Sequence, residues 1–541
     1  MSDRREWELP HLREAHQLPG AGGDFWSVKF YPYTEPGVDP VFAVVGGKRA
    51  SLPSRTPKCC MLMIRLQILV CRPPAGKESS SRIEIIQLII DEEQEADHFA
   101  CAWSKDLETG DPLLCVSGVN AKIKIINVLT GECLRTLAGH GGEVNDLVVS
   151  PVNPYILASA SDDCTVRVWS LDPAHERQPC AAILEGDGHK ETVLTLSFHK
   201  NGRYLISGGI DHVINLWTLP EFPDINTGTN KATRIFYPHF STSEIHSDIV
   251  DCVAWHGDLI LSKAANEDSI ALWSINAFDS TSPPPPPSTA PTTHDLTRDT
   301  RSAFAPSSPS SPNSPTALYT RHLQFSIPES AIIFMRFSLF PGRPPTSDSP
   351  QTNSSFSSDN PSTTNSIGAN PILAFCNTAS KVFFWDFTRL ENYHDTLSQF
   401  PSEETFSPPR KHPFLQPFQR RTRGGGALAR LSRRSPSPTE STSSHITTSD
   451  VPDSSYRDES QDGKGKEKGN GKGKIDWNRS RENWASKYDM GDPLREIGAH
   501  GTEVVKGLSF TGRQVAWSVD GRWCVVVGSS GVVACLQRWR D

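Results

Sequence analysis

An internal repeat between residues 139 and 217 constrains the fold more than any other feature of this 541-residue chain. Four residue types recur in the same order: a histidine preceded by glycine, a serine, an aspartate and a tryptophan. The two sets are His140, Ser159, Asp163 and Trp169, followed by His189, Ser207, Asp211 and Trp217. Corresponding residues are 48 or 49 positions apart, so the register holds through the whole unit. Such constancy indicates a repeated structural module.

A unit of this length with short alternating apolar segments resembles the WD40 repeat, in which each unit forms one four-stranded blade of a β-propeller. The four recurring residues are predicted to form a hydrogen-bonded chain that pins a turn to its blade, because buried polar side chains persist when each has a partner. A Ser-His-Asp set also resembles a hydrolase triad. Its recurrence together with a tryptophan favours the structural role, since a nucleophile has no need to be repeated. No catalytic residue is assigned.

Similar segments on both sides of the repeat predict seven blades. The predicted fold class is all-β: a single seven-bladed WD40 β-propeller domain spanning residues 1–541, with long disordered inserts. Residues 5–15 are assigned to an additional strand that closes the ring on the last blade, because closure removes exposed strand edges. The blade segments are predicted at 25–46 with 66–70, 99–126, 139–169, 188–217, 245–273, 331–338 with 372–386, and 514–536.

Three stretches rich in Ser, Thr, Pro, Gly or charged residues are predicted to be disordered inserts, because their composition cannot bury a core. They cover residues 276–316, 341–369 and 393–490. The third holds a basic cluster: Arg420, Arg421, Arg423, Arg430, Arg433 and Arg434. Solvated charge is the ordinary meaning of such a cluster, and a nuclear-localisation or nucleic-acid contact is the alternative, so direct nucleic-acid binding stays open. Residues 50–64 also break the pattern, as a surface loop or a retained intron would.

Composition narrows the class of protein. The net charge of −8 is mild and argues against a whole-molecule attraction to nucleic acid. The 12 cysteines show no metal-binding spacing and mostly occupy apolar runs, which predicts reduced core thiols and no metal or cofactor. Neither a signal core nor a run of membrane-spanning length is present, so we expect a soluble cytoplasmic or nuclear protein.

The stretch from residue 235 to residue 263 departs from the WD40 consensus. Its segments IFYPHFST (235–242), IH (245–246) and VDCVAWHGDLILSK (250–263) closely resemble the extra sex combs / embryonic ectoderm development family, the propeller subunit of Polycomb repressive complex 2. Further matches are residues 99–103, 139–140, 335–338 and 513–514. The resemblance covers all seven predicted blades and fails only across the inserts.

The resemblance implies an aromatic cage for a trimethylated lysine at one end of the ring. A quaternary ammonium has no N–H to donate, so the negative faces of aromatic rings recognise it. The cage positions fall on Trp26, Phe99 and Phe334, and on Ile333, where the family has a tryptophan. Arg513 matches a family arginine near the peptide site. An aliphatic fourth wall predicts weaker binding, and packing of the strands is the alternative role for the three aromatic residues.

The function that the resemblance implies is that of a non-catalytic scaffold and methyl-lysine reader in a Polycomb-type histone methyltransferase complex, acting in histone-tail lysine 27 methylation and gene silencing in the nucleus. The implied partners are the SET-domain catalytic subunit, the trimethylated histone tail and the other subunits of Polycomb repressive complex 2. The competing hypothesis is a generic WD40 adaptor, such as a ubiquitin-ligase substrate receptor, which would bind a cullin-type partner instead.

Overall fold

The computed structural model describes residues 8–18, 23–35, 37–46, 68–74, 82–91, 93, 97–292, 299–304, 317–343, 369–393 and 490–539. Within these ranges the strands form seven sheets of four or five strands each. Alternating apolar segments joined by tight turns produce antiparallel neighbours, and each sheet is one blade of the ring. The predicted all-β, seven-bladed propeller is confirmed.

The strands are numbered in chain order. Blade 1 contains β2 (Phe25–Phe30), β3 (Phe42–Gly46), β4 (Ile68–Arg72) and β5 (Glu84–Ile89). Blade 2 contains β6 (His98–Lys105), β7 (Pro112–Gly118), β8 (Lys122–Asn127) and β9 (Cys133–Ala138). Blade 3 contains β10 (Val144–Val149), β11 (Ile156–Ser161), β12 (Val166–Ser170), β13 (Cys180–Leu184) and β17 (Thr233–Ile235). Blade 4 contains β14 (Val193–Phe198), β15 (Tyr204–Gly209), β16 (Ile214–Thr218), β18 (Phe240–Thr242) and β22 (Thr300–Ser302).

Blade 5 contains β19 (Val250–His256), β20 (Leu259–Ala264), β21 (Ser269–Ile275), β23 (Tyr319–Ser326) and β27 (Glu496–Ile497). Blade 6 contains β24 (Ser338–Phe340), β25 (Ile372–Cys376), β26 (Lys381–Asp386) and β28 (Gly501–Val504). Blade 7 contains β29 (Gly512–Trp517), β30 (Trp523–Gly528) and β31 (Val532–Gln537), completed by β1 (His11–Gln17). A short helix, α1 (Phe387–Glu391), follows β26, and 3-10 turns lie at Pro173–His175, Pro287–Thr289 and Ser529–Gly531.

The ring closes where β1 pairs with β31 in antiparallel register, from His11 opposite Gln537 to Gln17 opposite Val532. The predicted closing strand therefore exists and covers residues 11–17; of the predicted range 5–15, residues 8–10 precede the strand and residues 5–7 lie outside the described residues. The guanidinium of Arg538 donates from Nε to the Glu8 carbonyl at 2.7 Å, which fixes the start of this strand. Because the first strand completes the last blade, the two ends of the chain cannot separate without opening the ring.

Apolar layers between neighbouring blades form the core. The tryptophan of each repeat lies against the preceding blade: Trp169 packs with residues of blade 2 and Trp217 with residues of blade 3. Trp273 and Trp385 occupy the same position in blades 5 and 6. All four are fully buried, and burying a large side chain of this kind contributes roughly 2–3 kcal/mol each.

The predicted hydrogen-bonded chain is present in both repeats. In the first, Trp169 donates from Nε1 to Ser159 Oγ at 2.7 Å, and His140 lies 2.7 Å from Ser159 and 2.8 Å from Asp163. Burial lowers the pKa of His140 despite the opposing effect of Asp163, so the ring is neutral near pH 7. In a neutral ring, His140 donates from Nδ1 to Asp163 and accepts at Nε2 from the Ser159 hydroxyl, which in turn accepts from Trp169.

The second repeat and blade 5 carry the same network. Ser207 accepts from Trp217 at 2.9 Å and contacts His189 at 2.7 Å. In blade 5, Ser262 accepts from Trp273 at 3.0 Å and contacts His246 at 2.7 Å, while the acidic position is Glu267, 2.5 Å from His246. This third network was not predicted because its carboxylate belongs to glutamate and not to aspartate.

The prediction of a disordered insert at 276–316 is wrong for its first part, because residues 276–292 and 299–304 are folded against blades 4 and 5. Phe278 stacks on Trp255 with a 5.7 Å ring separation and contacts Phe304 edge-on at 5.2 Å. Two aromatic anchors supply the apolar burial that the Ser/Thr/Pro composition lacks. β22, which lies inside the predicted insert, pairs with β18 as the outermost strand of blade 4.

Two further boundaries differ from the predictions. Tyr393 and Met490 both pack in the apolar cluster of blades 5 and 6, so the third insert is bounded by folded residues on each side. In blade 6 the first strand begins at Ser338, and residues 331–337 are ordered without being a strand. At the two ends of the second predicted insert, residues 341–343 and 369 are described, and Arg343 forms a β-bridge with Ala369. The remainder of the predicted inserts lies outside the described residues, as do the basic cluster at 420–434 and residues 50–64.

The described cysteines are all unpaired, and seven of the ten are buried. Burial raises the pKa of the Cys71 thiol to about 12, which keeps it protonated and unreactive near neutral pH. The prediction of reduced core thiols holds for these seven positions.

Candidate functional site

A shared irregularity shapes one end of the ring. In six blades the innermost strand skips one residue in its pairing with the next strand, directly after its first residue. A bulge of this kind re-aims the skipped side chain out of the sheet. The six skipped residues are Trp26, Phe99, Asn145, Leu194, Asp251 and Arg513. We call the end of the ring where these innermost strands begin the entry end.

Three predicted aromatic residues meet at the entry end. The ring of Trp26 lies 6.1 Å from that of Phe99, with an angle of 85° between their planes, and 6.1 Å from that of Phe334, with an angle of 70°. All three side chains are half-buried, whereas their neighbours Phe25 and Met335 are almost fully buried. The structure therefore brings residues from blade 1, blade 2 and the segment before blade 6 into one aromatic cluster that keeps access to solvent.

Phe334 adopts an unusual backbone conformation, with φ at 60°. A bulky residue in the left-handed region costs about 1–2 kcal/mol and persists only where its surroundings fix it. Two hydrogen bonds follow directly: Met335 N–H donates to Asp251 Oδ2 at 3.3 Å, and Arg336 N–H donates to the Arg513 carbonyl at 2.8 Å. This conformation ends any strand before Ser338, which is why residues 331–337 do not extend blade 6.

Arg513 connects the two sides of the aromatic cluster. Its guanidinium carbon lies 4.5 Å from the centre of the Trp26 ring, a cation–π contact. The same group donates from Nη1 to the Ile333 carbonyl at 3.2 Å and forms a salt bridge with Asp24 at 2.9 Å. Arg513 thus contacts Trp26 through its side chain and holds the segment that carries Phe334. Ile333 precedes Phe334 in the chain and its side chain is half-buried. Its backbone carbonyl accepts the hydrogen bond from Arg513.

A buried arginine spans the central channel beneath the cluster. Arg336 precedes blade 6, yet its guanidinium donates to the Asn145 carbonyl of blade 3 at 3.0 Å and to the Leu194 carbonyl of blade 4 at 2.8 Å. Its Nη1 lies 2.8 Å from Asp146 Oδ1. Burial disfavours the charge, but Asp146 and other neighbouring groups outweigh that effect and raise the pKa of Arg336. The side chain of Arg336 therefore crosses the channel and fastens the segment before blade 6 to the opposite wall.

A second buried ion pair lies beside the first. Lys263 Nζ is 3.2 Å and 3.3 Å from the two oxygens of Asp251, and it also donates to the Ala264 carbonyl at 3.2 Å. Both charged side chains are fully buried. Buried charges require partners of this kind, since an uncompensated charge in the interior is strongly unfavourable.

The predicted site residues thus converge, and the structure adds others. Trp26, Phe99 and Phe334 form the cluster, while Arg513 and Ile333 contact each other at its edge. Sequence reasoning missed Asp24, Arg336, Asp251 and Lys263. A usable signal existed for the last two, because a charged residue inside an otherwise apolar strand requires a buried partner.

The cluster offers chemistry for binding and not for bond-breaking. Half-exposed aromatic rings present negative faces to a cation that cannot donate hydrogen bonds. Among the described residues no group of His, Cys, Asp and Glu side chains has a metal-binding arrangement. In the same part of the chain, none of the helices has the length and apolar character needed to cross a membrane.

Comparison with known proteins agrees with the fold and identifies the family. The family model described as "WD domain, G-beta repeat" matches residues 131–170 and 179–218, which are the two repeats. The Polycomb protein EED of Chaetomium thermophilum is 38% identical over 597 aligned positions, covering 99% of this chain and 97% of that protein. The Polycomb protein esc of Drosophila melanogaster is 31% identical over 277 positions, covering 49% of this chain and 58% of its own.

Solved structures show the same relationship. A chain in the crystal structure of an active Polycomb repressive complex 2 in the basal state is 37% identical, with a TM-score of 0.74 and coverage of 99% of this chain and 98% of that one. A chain of the Chaetomium thermophilum complex with H3K27me3 and H3K27M is 36% identical, with a TM-score of 0.72 and 99% of both chains covered. With near-complete coverage at this identity, the chain belongs to the extra sex combs / embryonic ectoderm development family of Polycomb proteins.

Proposed function

We propose that this chain is the non-catalytic propeller subunit of a Polycomb repressive complex 2, that it supports the SET-domain methyltransferase subunit, and that it binds a histone tail trimethylated at lysine 27. Related chains occur in solved Polycomb repressive complex 2 structures, one of them with H3K27me3. Action on chromatin would place the protein in the nucleus. Family membership favours this function over that of a ubiquitin-ligase adaptor.

The observation that supports methyl-lysine binding best is the aromatic cluster itself. Trp26 contacts Phe99 and Phe334 edge-on, which lets the three rings border one space from different directions. Their partial exposure separates them from ordinary core residues, which are buried on both sides. We assign the walls of the cage to Trp26, Phe99, Phe334 and Ile333. Arg513 then lies beside the bound peptide and keeps Trp26 and the Phe334 segment together.

A peptide titration tests this function. The purified full-length chain is titrated by calorimetry with a histone H3 peptide trimethylated at lysine 27 and with the unmethylated peptide. We expect tighter binding of the trimethylated form, because an unmethylated ammonium is better hydrated and costs more to bring between aromatic rings. Phe236→Ala provides a control, since Phe236 is 45% exposed and directly follows β17, the outermost strand of blade 3. Equal affinity for the two peptides in the wild type would contradict the reader function.

Support of the methyltransferase is a separate part of the proposal. We infer that a helix of the catalytic subunit docks in a groove on the face opposite the entry end, as helix-in-groove recognition allows. Deletion of residues 394–489 should leave this binding intact when Tyr393 and Met490 are kept, because both pack in the apolar cluster of blades 5 and 6. Affinity purification with mass spectrometry should recover a SET-domain subunit with both forms. Loss of that subunit on deletion would show that the insert carries the interface.

A further inference from the structure

Asp251 and Lys263 lie in the stretch that departs from the WD40 consensus, and neither the serine–histidine networks nor the aromatic walls involve them. They form a fully buried ion pair, with Lys263 Nζ within 3.3 Å of both carboxylate oxygens. Asp251 is also the skipped residue of β19, so its side chain is turned out of the blade at the entry end. A buried charge pair at this location needs an explanation beyond packing.

Among the described residues, the carboxylate accepts one hydrogen bond from outside its own blade. Oδ2 of Asp251 accepts a hydrogen bond from Met335 N–H at 3.3 Å, and Met335 follows the left-handed Phe334. Lys263 neutralises the carboxylate and holds both of its oxygens, which fixes the direction in which Oδ2 faces. The next residue along the chain, Arg336, is held by the Arg513 carbonyl and by Asp146. The backbone on the carboxyl side of Phe334 is therefore pinned at two successive residues.

We propose that Asp251, oriented by Lys263, is a positioning residue for methyl-lysine recognition. By holding Met335 N–H it maintains the left-handed conformation that directs the Phe334 ring towards Trp26. This inference rests on the proposed function of the aromatic cage.

A pair of double variants separates this role from a contribution to stability alone. Asp251→Asn with Lys263→Met removes both charges but keeps a side-chain oxygen that can accept from Met335 N–H. Asp251→Leu with Lys263→Met also removes both charges and leaves no acceptor. Replacing a complete buried ion pair by uncharged residues often preserves the fold, whereas removing one partner does not. The two variants differ only at residue 251, where one has a side-chain oxygen that can accept from Met335 N–H and the other has none.

Two measurements are made on the full-length chain. In the calorimetric titration with the trimethylated peptide, we expect the asparagine variant to stay within about twofold of wild type and the leucine variant to lose roughly tenfold, which is the loss expected when one cage wall is misplaced. Amide exchange is followed by nitrogen-15 labelling of methionine, which is selective because the chain has five methionines. The Met335 amide should be protected in the wild type and in the asparagine variant, and exposed to exchange in the leucine variant.

The exchange measurement does not depend on peptide binding, so it distinguishes the two proposals. A wild type that fails to prefer the trimethylated peptide would overturn the reader function, while protection of Met335 would still support the positioning contact. Equal affinity and equal Met335 exchange in the two folded variants would overturn the positioning role. If the leucine variant fails to melt cooperatively, the test is the exchange rate of the Met335 amide in the wild-type protein. Exchange as fast as in an unstructured peptide would overturn the proposal.

Discussion

Asp24 and Arg513 join the first and last blades of the ring directly at the aromatic cluster. Asp24 Oδ2 accepts from Nε and Nη2 of Arg513 at 3.1 Å and 2.9 Å, and Oδ1 accepts from Ser530 N–H at 3.3 Å. The arginine held in this way is the one that lies over Trp26. The carboxylate therefore ties strand β29 and the turn at Ser529–Gly531, both in blade 7, to the start of the strand that carries Trp26, and the seam of the ring coincides with the candidate binding site.

The first prediction follows from this pair. Asp24→Asn should weaken binding of the trimethylated peptide by roughly twofold to fivefold, because a half-buried salt bridge contributes about 0.5–1 kcal/mol. The loss arises from a less fixed Arg513, while the aromatic walls stay intact. Glu185→Gln serves as the matched control, since it removes the surface pair with Arg234 far along the chain. Titration of the three proteins with one peptide is the measurement, and an Asp24→Asn affinity equal to that of the control would refute the role of the pair.

The second prediction concerns the walls of the cage. Phe99→Ala should weaken trimethyl-lysine binding about tenfold, because a desolvated cation–π contact contributes on the order of 1–2 kcal/mol. Ile333→Trp should strengthen binding, since it restores the ring that the family has at this position. Circular dichroism checks that both variants keep the fold. Unchanged affinity in both variants would mean that the peptide does not enter this cluster.

The third prediction concerns the repeat networks. Ser159→Ala should destabilise the protein by roughly 1–3 kcal/mol, because it leaves the buried Trp169 N–H and the His140 nitrogen without their common partner. Ser207→Ala should cost a similar amount through Trp217 and His189. Ser282→Ala, in an exposed turn, should change the unfolding free energy by less than about 0.5 kcal/mol. Thermal melting of the three variants compares them, and equal melting temperatures would show that the networks contribute nothing.

The fourth prediction is a pH dependence that arises from Glu267. Burial acts to raise its pKa, but the hydrogen bonds from His246 and Ser247 outweigh that effect and lower the pKa from an ordinary 4.5 to about 2. A lowered folded-state pKa stabilises the protein above the unfolded-state value, and this contribution is lost as the pH falls from about 4.5 to about 2. Glu267→Gln should therefore be less stable than wild type at pH 6 and should lose less stability in that acidic window.

Chemical denaturation at several pH values between 2 and 6 measures this dependence. Glu132→Gln, at an exposed turn, is the control and should follow the wild type. Parallel curves for wild type and Glu267→Gln across the whole range would contradict the assignment of the acid sensitivity to this carboxylate.

The fifth prediction concerns which parts of the predicted inserts a protease can cleave. Limited proteolysis should cleave within 305–316, 344–368 and 394–489, whose composition predicts disorder, and should spare residues 276–292. The protection of 276–292 depends on Phe278, which packs against Trp255 and Phe304. Phe278→Ala should expose this segment to early cleavage. Early cleavage of 276–292 in the wild type would contradict the packing described for it.

The repeat at 139–217 was enough to determine the blade architecture, because its hydrogen-bonding residues recur in fixed register and each network closes within one blade. The closing strand could be predicted for a different reason, because the last blade would otherwise leave an unpaired strand edge. The family could be recognised from residues 235–263 because that stretch departs from the repeat. Composition, in contrast, misjudged residues 276–292, since two aromatic residues are sufficient to anchor a Ser/Pro-rich segment once a neighbouring surface is available.

Only the tertiary structure decided how the cage residues are held. Asp24 and Arg513 are almost the whole chain apart, and they meet because the ring closes between them. Asp251 and Lys263 belong to blade 5 and Met335 belongs to the segment before blade 6, and they meet because these two blades are neighbours in the ring. Sequence patterns predict where a strand lies and which of its side chains face the core, because both depend on residues that are near neighbours in the chain. The orientation of the cage residues depends on contacts between blades, such as those of Asp24 with Arg513 and of Arg336 with Asp146, and these contacts form only when the blades are assembled in the ring.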